Sequence, residues 1–297
     1  MIDSALRMFP ERRAQVLERV TVPGADLWTV TSGSGPPLVL AHGGPGMWDY
    51  MGPVAEMVED LVTVHRYDQR GSGRSVADPP YHLADFIGDL EVLREHWCHE
   101  RWVVVGHSWG AQLALLYAGR YPLRVAGLIL ISTSGLVEAD AESRRQAMEQ
   151  RLGAAGASRL AELYGRLAAD PDDAAADHEL TRLMWSTEFS RPEAGVAFAD
   201  QLLESNFQIN QAVSRALVAQ RGQWLRDGVT RDTLVGLDVP ALVVQGTADL
   251  RSSEPAQDLA HSLQRGELVL VPEAGHFPWL ERPEVLRPAL RRFLASP

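Results

Sequence analysis

The stretch Gly106-His107-Ser108-Trp109-Gly110 follows the pattern G-x-S-x-G and decides how the rest of the chain is interpreted. The apolar, β-branched run at residues 101–105 before it predicts a buried strand. The residues after it, 111–118, predict a helix. A sharp turn between a strand and a helix exposes a serine above a sheet, and the two glycines let these elements cross closely. The sequence therefore predicts that Ser108 is a nucleophile.

Further apolar runs alternate with helical stretches along the chain. They lie at residues 38–41, 61–65, 127–131, 241–244 and 268–271. Runs without polar alternation are typical of parallel strands that are covered on both faces, and the intervening helices imply βαβ units. Residues 19–30 alternate more and predict an antiparallel hairpin at one edge. The predicted fold class is α/β, with a mostly parallel sheet flanked by helices.

The rhythm of strands breaks between residues 136 and 234. Ala, Glu, Arg, Leu and Gln dominate there and predict helices at residues 139–150, 158–168, 178–185, 192–203 and 211–219. A block of this length is too long for an ordinary crossover, so we interpret it as an inserted helical cap over the carboxyl edge of the sheet. The alternative is that these helices only flank the sheet. The predicted domains are a core of residues 1–135 and 235–297, and a cap of residues 136–234.

Composition narrows the class of protein. The 297 residues carry a formal net charge of −11, and 45% of them are hydrophobic. This charge argues against a nucleic-acid surface and gives no support for docking on anionic membranes. The N-terminus lacks a basic segment followed by an apolar one, and no apolar run reaches membrane-spanning length. We therefore expect a cytoplasmic protein. Cys98 is the only cysteine, and its helical surroundings predict a buried structural thiol.

A serine hydroxyl is a weak nucleophile and needs a general base, which in turn needs an orienting group. Asp249 follows the predicted strand at residues 241–244, and His276 follows the next strand, 27 residues further on. Both positions lie at the same sheet edge as Ser108, in the chain order serine, acid, histidine that suits this architecture. The loop after the strand at 127–131 offers no rival carboxylate. The predicted catalytic residues are therefore Ser108, Asp249 and His276.

An acyl-transfer reaction also needs donors for the oxyanion that develops on the substrate. One predicted donor is the backbone N–H of Trp109, directly after the serine. The other lies in the glycine-rich loop after the first parallel strand, where Gly44 is preferred over Gly43. His42 is interpreted as a residue that fixes this loop. No group of residues has the spacing of metal ligands, so we expect neither a metal nor a cofactor.

Three motifs resemble the proline iminopeptidase branch of the α/β-hydrolase superfamily. They are the His-Gly-Gly-Pro-Gly segment at 42–46, the Asp-x-Arg-Gly-x-Gly-x-Ser segment at 68–75 and the serine pentapeptide at 106–110. The resemblance implies the α/β-hydrolase fold with an inserted helical cap. It also implies that acidic cap residues bind a peptide's free amino terminus, and Glu204 in segment 203–207 is the candidate. Some relatives carry a second glutamate after the catalytic acid, where this chain has Leu250.

Three functions follow as hypotheses. The first is a serine aminopeptidase or amidase that removes a small N-terminal residue, proline by resemblance, from a short peptide or small molecule. The second is an esterase, thioesterase or lactonase whose cap tryptophans, such as Trp185 and Trp224, form an apolar pocket. The third is a small-molecule binding protein built on a hydrolase fold.

Overall fold

The computed structural model describes residues 15–134, 141–170, 172–205, 207–226 and 236–295. The strands are β1 (Gln15–Val22), β2 (Ala25–Gly33), β3 (Pro37–Ala41), β4 (Thr63–Tyr67), β5 (Val76–Ala77), β6 (Trp102–His107), β7 (Val125–Ile131), β8 (Pro240–Gly246) and β9 (Arg265–Val271). The helices are α1 (Gly52–Glu56), α2 (Leu83–His96), α3 (Trp109–Arg120), α4 (Ala141–Ala169), α5 (Ala174–Thr187), α6 (Pro192–Glu204), α7 (Gln211–Arg226), α8 (Glu254–Ser262), α9 (Pro278–Glu281) and α10 (Pro283–Ala295).

Within the described residues the strands form one sheet, in the order β1-β2-β4-β3-β6-β7-β8-β9, with the short β5 paired to β2. The run from β4 to β9 is parallel, whereas β1 and β2 form an antiparallel hairpin and β2 is antiparallel to β4. The predicted mostly parallel sheet and its edge hairpin are confirmed. β5 has no counterpart among the predicted strands, because two residues are too few to give a pattern.

Both faces of the inner parallel strands are buried, which explains their unbroken apolar runs. The expectation of cover on both faces is wrong for residues 268–271, because β9 is the edge strand and Leu270 is 40% exposed. Val104 and Leu128 pack into a core that includes residues of α2, α3 and α8, while Val105 and Ile129 pack on the opposite face against α1, α9 and α10. Each of these four side chains is at most 1% exposed. The layered arrangement fixes the carboxyl ends of β6, β8 and β9 at one edge of the sheet.

The helices α4 to α7 lie in the chain between β7 and β8. The two helices predicted at 139–150 and 158–168 correspond to the two parts of α4, which is interrupted at Gly153, where φ is 66° and ψ is 179°. α4 and α5 share a small apolar core of their own, which includes Leu163 and Leu180. By contrast, Val213 of α7 belongs to the core of the sheet. The side chain of Trp224 lies outside the described residues, and the domain boundaries at 135 and 235 remain predictions.

The prediction of a buried thiol at Cys98 is wrong. α2 ends at His96, and Cys98 lies exposed in the following turn with a φ of 56°. A helical pattern does not show where the last turn stops, so the predicted helix ran to Cys98, two residues too far. None of the helices in the described part of the chain is both long and apolar enough to cross a membrane.

Candidate active site

Ser108 occupies the turn between β6 and α3 in a strained conformation. Its φ is 54° and its ψ is −114°, a region that non-glycine residues rarely adopt, and its N–H donates to the carbonyl of Ile131 at 2.9 Å. A Cβ at Gly106 would lie 2.1 Å from the carbonyl oxygen of Gly110, and one at Gly110 would lie 2.0 Å from that of Ala41. Side chains at these positions would therefore push α3 away from the sheet.

The loops after β8 and β9 bring Asp249 and His276 together. The imidazole Nδ1 of His276 lies 2.7 Å from Asp249 Oδ2, and both side chains are at most 5% exposed. Gln245 donates to the same carboxylate oxygen from Nε2 at 3.1 Å. Because the carboxylate accepts the Nδ1 proton, Nε2 of the ring is the nitrogen that is free to act as a base. Ser108 Oγ and His276 Nε2, both in the described residues, are not hydrogen-bonded to each other, and such bonds often tighten only with substrate.

Burial by itself would raise the pKa of the Asp249 carboxyl. The interactions with His276 and Arg251 outweigh burial, so the pKa of Asp249 lies well below its usual range. Asp249 is therefore ionised at neutral pH although its side chain is inaccessible to solvent.

A chain of hydrogen bonds beneath the site fixes the tautomer of His107. Its Nε2 donates to the carbonyl oxygen of His276 at 2.9 Å, so its Nδ1 accepts the hydroxyl proton of Tyr50 at 2.6 Å. Burial lowers the pKa of His107 and raises that of Tyr50, which keeps both groups neutral. The Tyr50 oxygen in turn accepts the N–H of Gly43 at 2.8 Å. This chain connects the main chain of the histidine loop to the glycine-rich loop.

The same chain bears on the predicted oxyanion donors. Because the Gly43 N–H is engaged by Tyr50, Gly44 is the preferred donor of the two predicted glycines. Gly44 is exposed and has a φ of 131°, a conformation that glycine tolerates. Trp109 is the first residue of α3, so its N–H has no acceptor within the helix. Gly44 and Trp109 remain the predicted donors.

His42 and the segment after β4 brace the glycine-rich loop. His42 Nε2 accepts the N–H of Gln69 at 3.0 Å, and the Gln69 amide donates back to the carbonyl of His42 at 2.8 Å. The Gln69 side chain also accepts the indole N–H of Trp109 at 3.0 Å. Asp68 accepts from the backbone of Asp49 and from Arg74. These contacts hold the loop and the start of α3 in register.

Sequence reasoning missed a charged cluster next to the histidine. Arg251 Nη1 lies 2.8 Å from Glu188 Oε2, 2.9 Å from Asp249 Oδ1 and 3.1 Å from His276 Nδ1. Glu188, the residue after α5, is 5% exposed, and its other oxygen accepts from Arg144 of α4. The one local signal for Glu188 was an acidic side chain at a helix C-terminus, where the helix dipole disfavours a negative charge.

The ligand atoms of Glu188, Asp249 and His276 all lie within 4.8 Å of one another, a geometry that suits a metal ion. Arg251 contacts all three residues and supplies positive charge there. The set of donors is thus already engaged by a guanidinium group.

Glu204 is the exposed last residue of α6. It makes no hydrogen bond or ion pair with the part of the chain that the structure describes. The neighbouring Phe207 packs against Trp48, with ring centroids 5.4 Å apart, while Asn206 lies outside the described residues. Glu204 remains a prediction, and the second carboxylate that the structure places near His276, besides Asp249, is Glu188.

A parallel sheet with a serine, an acid and a histidine at its carboxyl edge is a known combination, and comparison with known families names its class. Residues 36–283 match the family model described as alpha/beta hydrolase fold. The chain therefore belongs to the alpha/beta hydrolase family, and the predicted fold class is confirmed.

Curated relatives narrow the family further. The chain is 30% identical over 276 residues to the probable proline iminopeptidase of Streptomyces coelicolor, a match that covers 82% of this chain and 83% of that protein. It is 29% identical over 272 residues to the proline iminopeptidase of Neisseria gonorrhoeae, with the same coverage. The predicted resemblance to the proline iminopeptidase branch is confirmed, and the chain is a hydrolase.

Solved structures agree with this assignment. A proline iminopeptidase-related protein of Thermus thermophilus is 26% identical, with a TM-score of 0.70 and coverage of 95% of this chain and 98% of that one. A 2-hydroxy-6-oxo-6-phenylhexa-2,4-dienoate hydrolase of Rhodococcus has a TM-score of 0.74 at 18% identity, over 95% of this chain and 99% of that one. The second likeness shows the shared fold alone.

Proposed function

We propose that the protein is a serine hydrolase that works through an acyl-enzyme on Ser108. The observation that carries this proposal is the 2.7 Å contact between His276 Nδ1 and the ionised Asp249, at the sheet edge where Ser108 stands in its strained turn. A buried carboxylate that fixes the tautomer of a histidine leaves Nε2 able to accept a proton, which is what a serine nucleophile requires.

The reaction then has two halves. Ser108 Oγ attacks the substrate carbonyl carbon while His276 Nε2 takes the hydroxyl proton, and the N–H groups of Gly44 and Trp109 stabilise the oxyanion. The C–N bond breaks as His276 returns the proton to the leaving amine. In the second half, His276 takes a proton from water as the water oxygen attacks the acyl carbon. The bond between that carbon and Ser108 Oγ then breaks, and His276 returns the proton to Oγ, which releases the acid and regenerates Ser108.

We propose an amide bond after a small N-terminal residue, proline in the first instance, as the substrate, carried by a short peptide or small molecule. The support comes from the relatives, which are named proline iminopeptidases. Recognition of the free amine is assigned to Glu204, as the family resemblance implies. The acidic net charge of −11 agrees with a substrate other than nucleic acid. We also propose that the enzyme acts in the cytoplasm.

A second candidate is an uncharged ester or lactone. The observation that favours it is the state of Glu188: this buried carboxylate is already ion-paired with two arginines and presents no unbalanced negative charge to a substrate ammonium. Trp185 packs beside it against Phe198 and Phe277, with ring centroids 5.0 and 5.7 Å apart, and adds apolar surface next to the histidine.

The experiment that separates these candidates compares kcat/KM for prolyl anilide, N-acetylprolyl anilide and a short acyl ester. If Glu204 reads the amine in the bound complex, Glu204→Gln loses about 2–5 kcal/mol of transition-state stabilisation on the free-amine substrate only. Glu193→Gln, an exposed glutamate at the other end of α6, is the matched control. Equal losses on free and blocked substrates would remove Glu204 from amine recognition, and an enzyme that cleaves only the ester would favour the second candidate.

A further inference from the structure

We infer that Arg251 and Glu188 form a positioning pair that holds the catalytic dyad of His276 and Asp249 in its working geometry and ties it to the inserted helices. This inference rests on the proposed role of His276 as the base. It gives the buried carboxylate of Glu188 a role in organising the enzyme's own residues, and no role in binding a substrate amine.

Arg251 engages the outer side of the dyad. Its backbone N–H and its guanidinium both donate to Asp249 Oδ1, at 3.0 and 2.9 Å, which leaves Oδ2 for the imidazole. The His276 Nδ1 atom has a single proton, and the shorter 2.7 Å contact to an ionised carboxylate shows that Asp249 receives it. The 3.1 Å approach of Arg251 to the same nitrogen is therefore a packing contact that limits rotation of the ring.

Glu188 balances the positive charge of Arg251. A guanidinium beside His276 opposes the imidazolium that forms during acyl transfer, because like charges at this distance repel each other. Glu188 Oε2, 2.8 Å from Arg251, offsets this repulsion. Burial alone raises the pKa of Glu188, but Arg251, His276 and Arg144 lower it to about 2, so the carboxylate is charged when the enzyme works.

The pairing also settles which carboxylate the imidazole uses. Without the guanidinium, Glu188 and Asp249 would both face His276, since their ligand atoms lie within 4.8 Å of the ring nitrogen. Two acceptors for one N–H proton allow two orientations of the ring. Arg251 binds the Glu188 carboxylate, so Asp249 is left as the acceptor of the His276 Nδ1 proton. The ring then has one orientation, and Nε2 points in one direction.

Main-chain contacts make Glu188 a fixed support. Its carbonyl oxygen accepts the N–H of His276 at 2.7 Å, and a Cβ at Gly275 would lie 2.3 Å from that oxygen. Arg151 of α4 donates to the carbonyl of Thr187 at 2.6 Å and to that of Ala248, next to the catalytic acid, at 2.7 Å. The segment after α5 is thus joined to both loops of the dyad.

The test measures how fast a fluorophosphonate probe labels Ser108, a reaction that needs the base but no particular substrate. Ser108 Oγ bonds to phosphorus, the P–F bond breaks, fluoride leaves and His276 takes the serine proton. Arg251→Met should slow labelling on the order of 10²-fold, since a misplacement of about 1 Å has that effect. Arg251→Lys keeps the charge without the two-armed fork and should fall between Arg251→Met and the wild type. Arg159→Met, which removes an arginine paired with Glu162 and Glu179 on the surface of α4 and α5, is the control.

A double variant separates positioning from simple destabilisation. Glu188→Gln leaves Arg251 uncompensated beside the imidazole, so it should also slow labelling. Glu188→Gln/Arg251→Met removes both charges, and its loss should be smaller than the product of the two single losses. The expected steady-state signature is a lower kcat with little change in KM, equal for free-amine and N-blocked substrates. It is measured below the Tm of each variant, in protein that still unfolds in one cooperative transition.

Three results would overturn the inference. Labelling of Arg251→Met at the wild-type rate would show that His276 and Asp249 keep their geometry without Arg251. Strict multiplication of the two single losses would show that the residues do not act as a pair. A Glu188→Gln loss confined to free-amine substrates would show that Glu188 reads the substrate. Failure of the proposed function is distinguishable, because a Ser108→Ala protein that labels like the wild type would remove the nucleophile itself.

Discussion

At the scale of single residues, the chemistry depends on a buried carboxylate that stays ionised. Asp249 accepts hydrogen bonds from His276, Gln245 and Arg251, which offset the loss of water around its charge. In the proposed mechanism it fixes the imidazole tautomer and stabilises the imidazolium that forms when Ser108 attacks.

Replacing this carboxylate by an amide gives the first prediction. Asp249→Asn keeps the shape of the side chain but removes the charge and lets the ring adopt the wrong tautomer, so kcat should fall on the order of 10⁴-fold. The measurement is steady-state turnover of the best substrate of the panel. Asp258→Asn, an exposed aspartate in α8, is the control and should be indistinguishable from the wild type. An Asp249→Asn enzyme of near-normal kcat would exclude this carboxylate from the reaction.

The site residues differ in how well the sequence could predict them. Ser108, Asp249 and His276 each follow a parallel strand with an apolar run, so local patterns and the geometry of parallel sheets were sufficient to propose them. Glu188 and Arg251 carry no such signal. Their pairing joins positions 63 residues apart, and it depends on how the segment after α5 packs against the loop after β8.

At the scale of elements, the crossing of α3 over the sheet limits what the pentapeptide can contain. A Cβ on Gly110 would lie 2.0 Å from the carbonyl oxygen of Ala41 and 2.6 Å from that of His42. These are backbone atoms of β3 and the glycine-rich loop, so they cannot rotate away as a side chain would.

Gly110→Ala should therefore lower the free energy of unfolding by about 1–3 kcal/mol, the usual effect of overpacking. It should also lower kcat, because the glycine-rich loop would be displaced. Gly88→Ala in α2 is the matched control, because its added Cβ has nothing within 4 Å. An alanine in a helix interior stabilises by roughly 0.5–1 kcal/mol relative to glycine, so this variant should gain stability. Denaturant unfolding measures both, and equal stability of the two variants would contradict the packing described for α3.

The elements themselves were largely predictable. Unbroken apolar runs identified the inner parallel strands, because both faces of the sheet are covered there. Boundaries within α4 to α7 were less accurate: α5 begins at Ala174, four residues before the predicted start. Polar, alanine-rich helices of this kind have weak periodicity, and capping contacts such as that of Asp173 with the N–H of Ala176 decide where they begin.

At the scale of the whole molecule, the charged cluster makes stability depend on pH. Glu188 has a folded-state pKa of about 2, below its ordinary value of 4.5, so it binds a proton more weakly in the folded protein than in the unfolded chain. Its contribution to stability is complete above pH 4.5 and is lost as the pH falls toward 2. Arg251, Arg144 and His276 cause the shift, and Asp249 shares Arg251 and loses its own contribution in the same direction.

Comparing the wild type with Glu188→Gln tests this linkage. The variant should be less stable at pH 7, because two arginines lose a buried partner, and the difference in Tm should shrink as the pH falls from 4.5 toward 2. Thermal unfolding followed by circular dichroism across this range gives the comparison. A Tm difference that stays constant or widens on acidification would show that Glu188 is not held ionised in the fold.

The central claim is that Ser108 is the nucleophile, and mapping the fluorophosphonate adduct by peptide mass spectrometry tests it most directly. The wild type should carry one probe on the peptide that contains Ser108, and Ser108→Ala should carry none and lose on the order of 10⁴- to 10⁶-fold in kcat. An adduct on another residue, or a Ser108→Ala protein that keeps its label and turnover, would contradict the account.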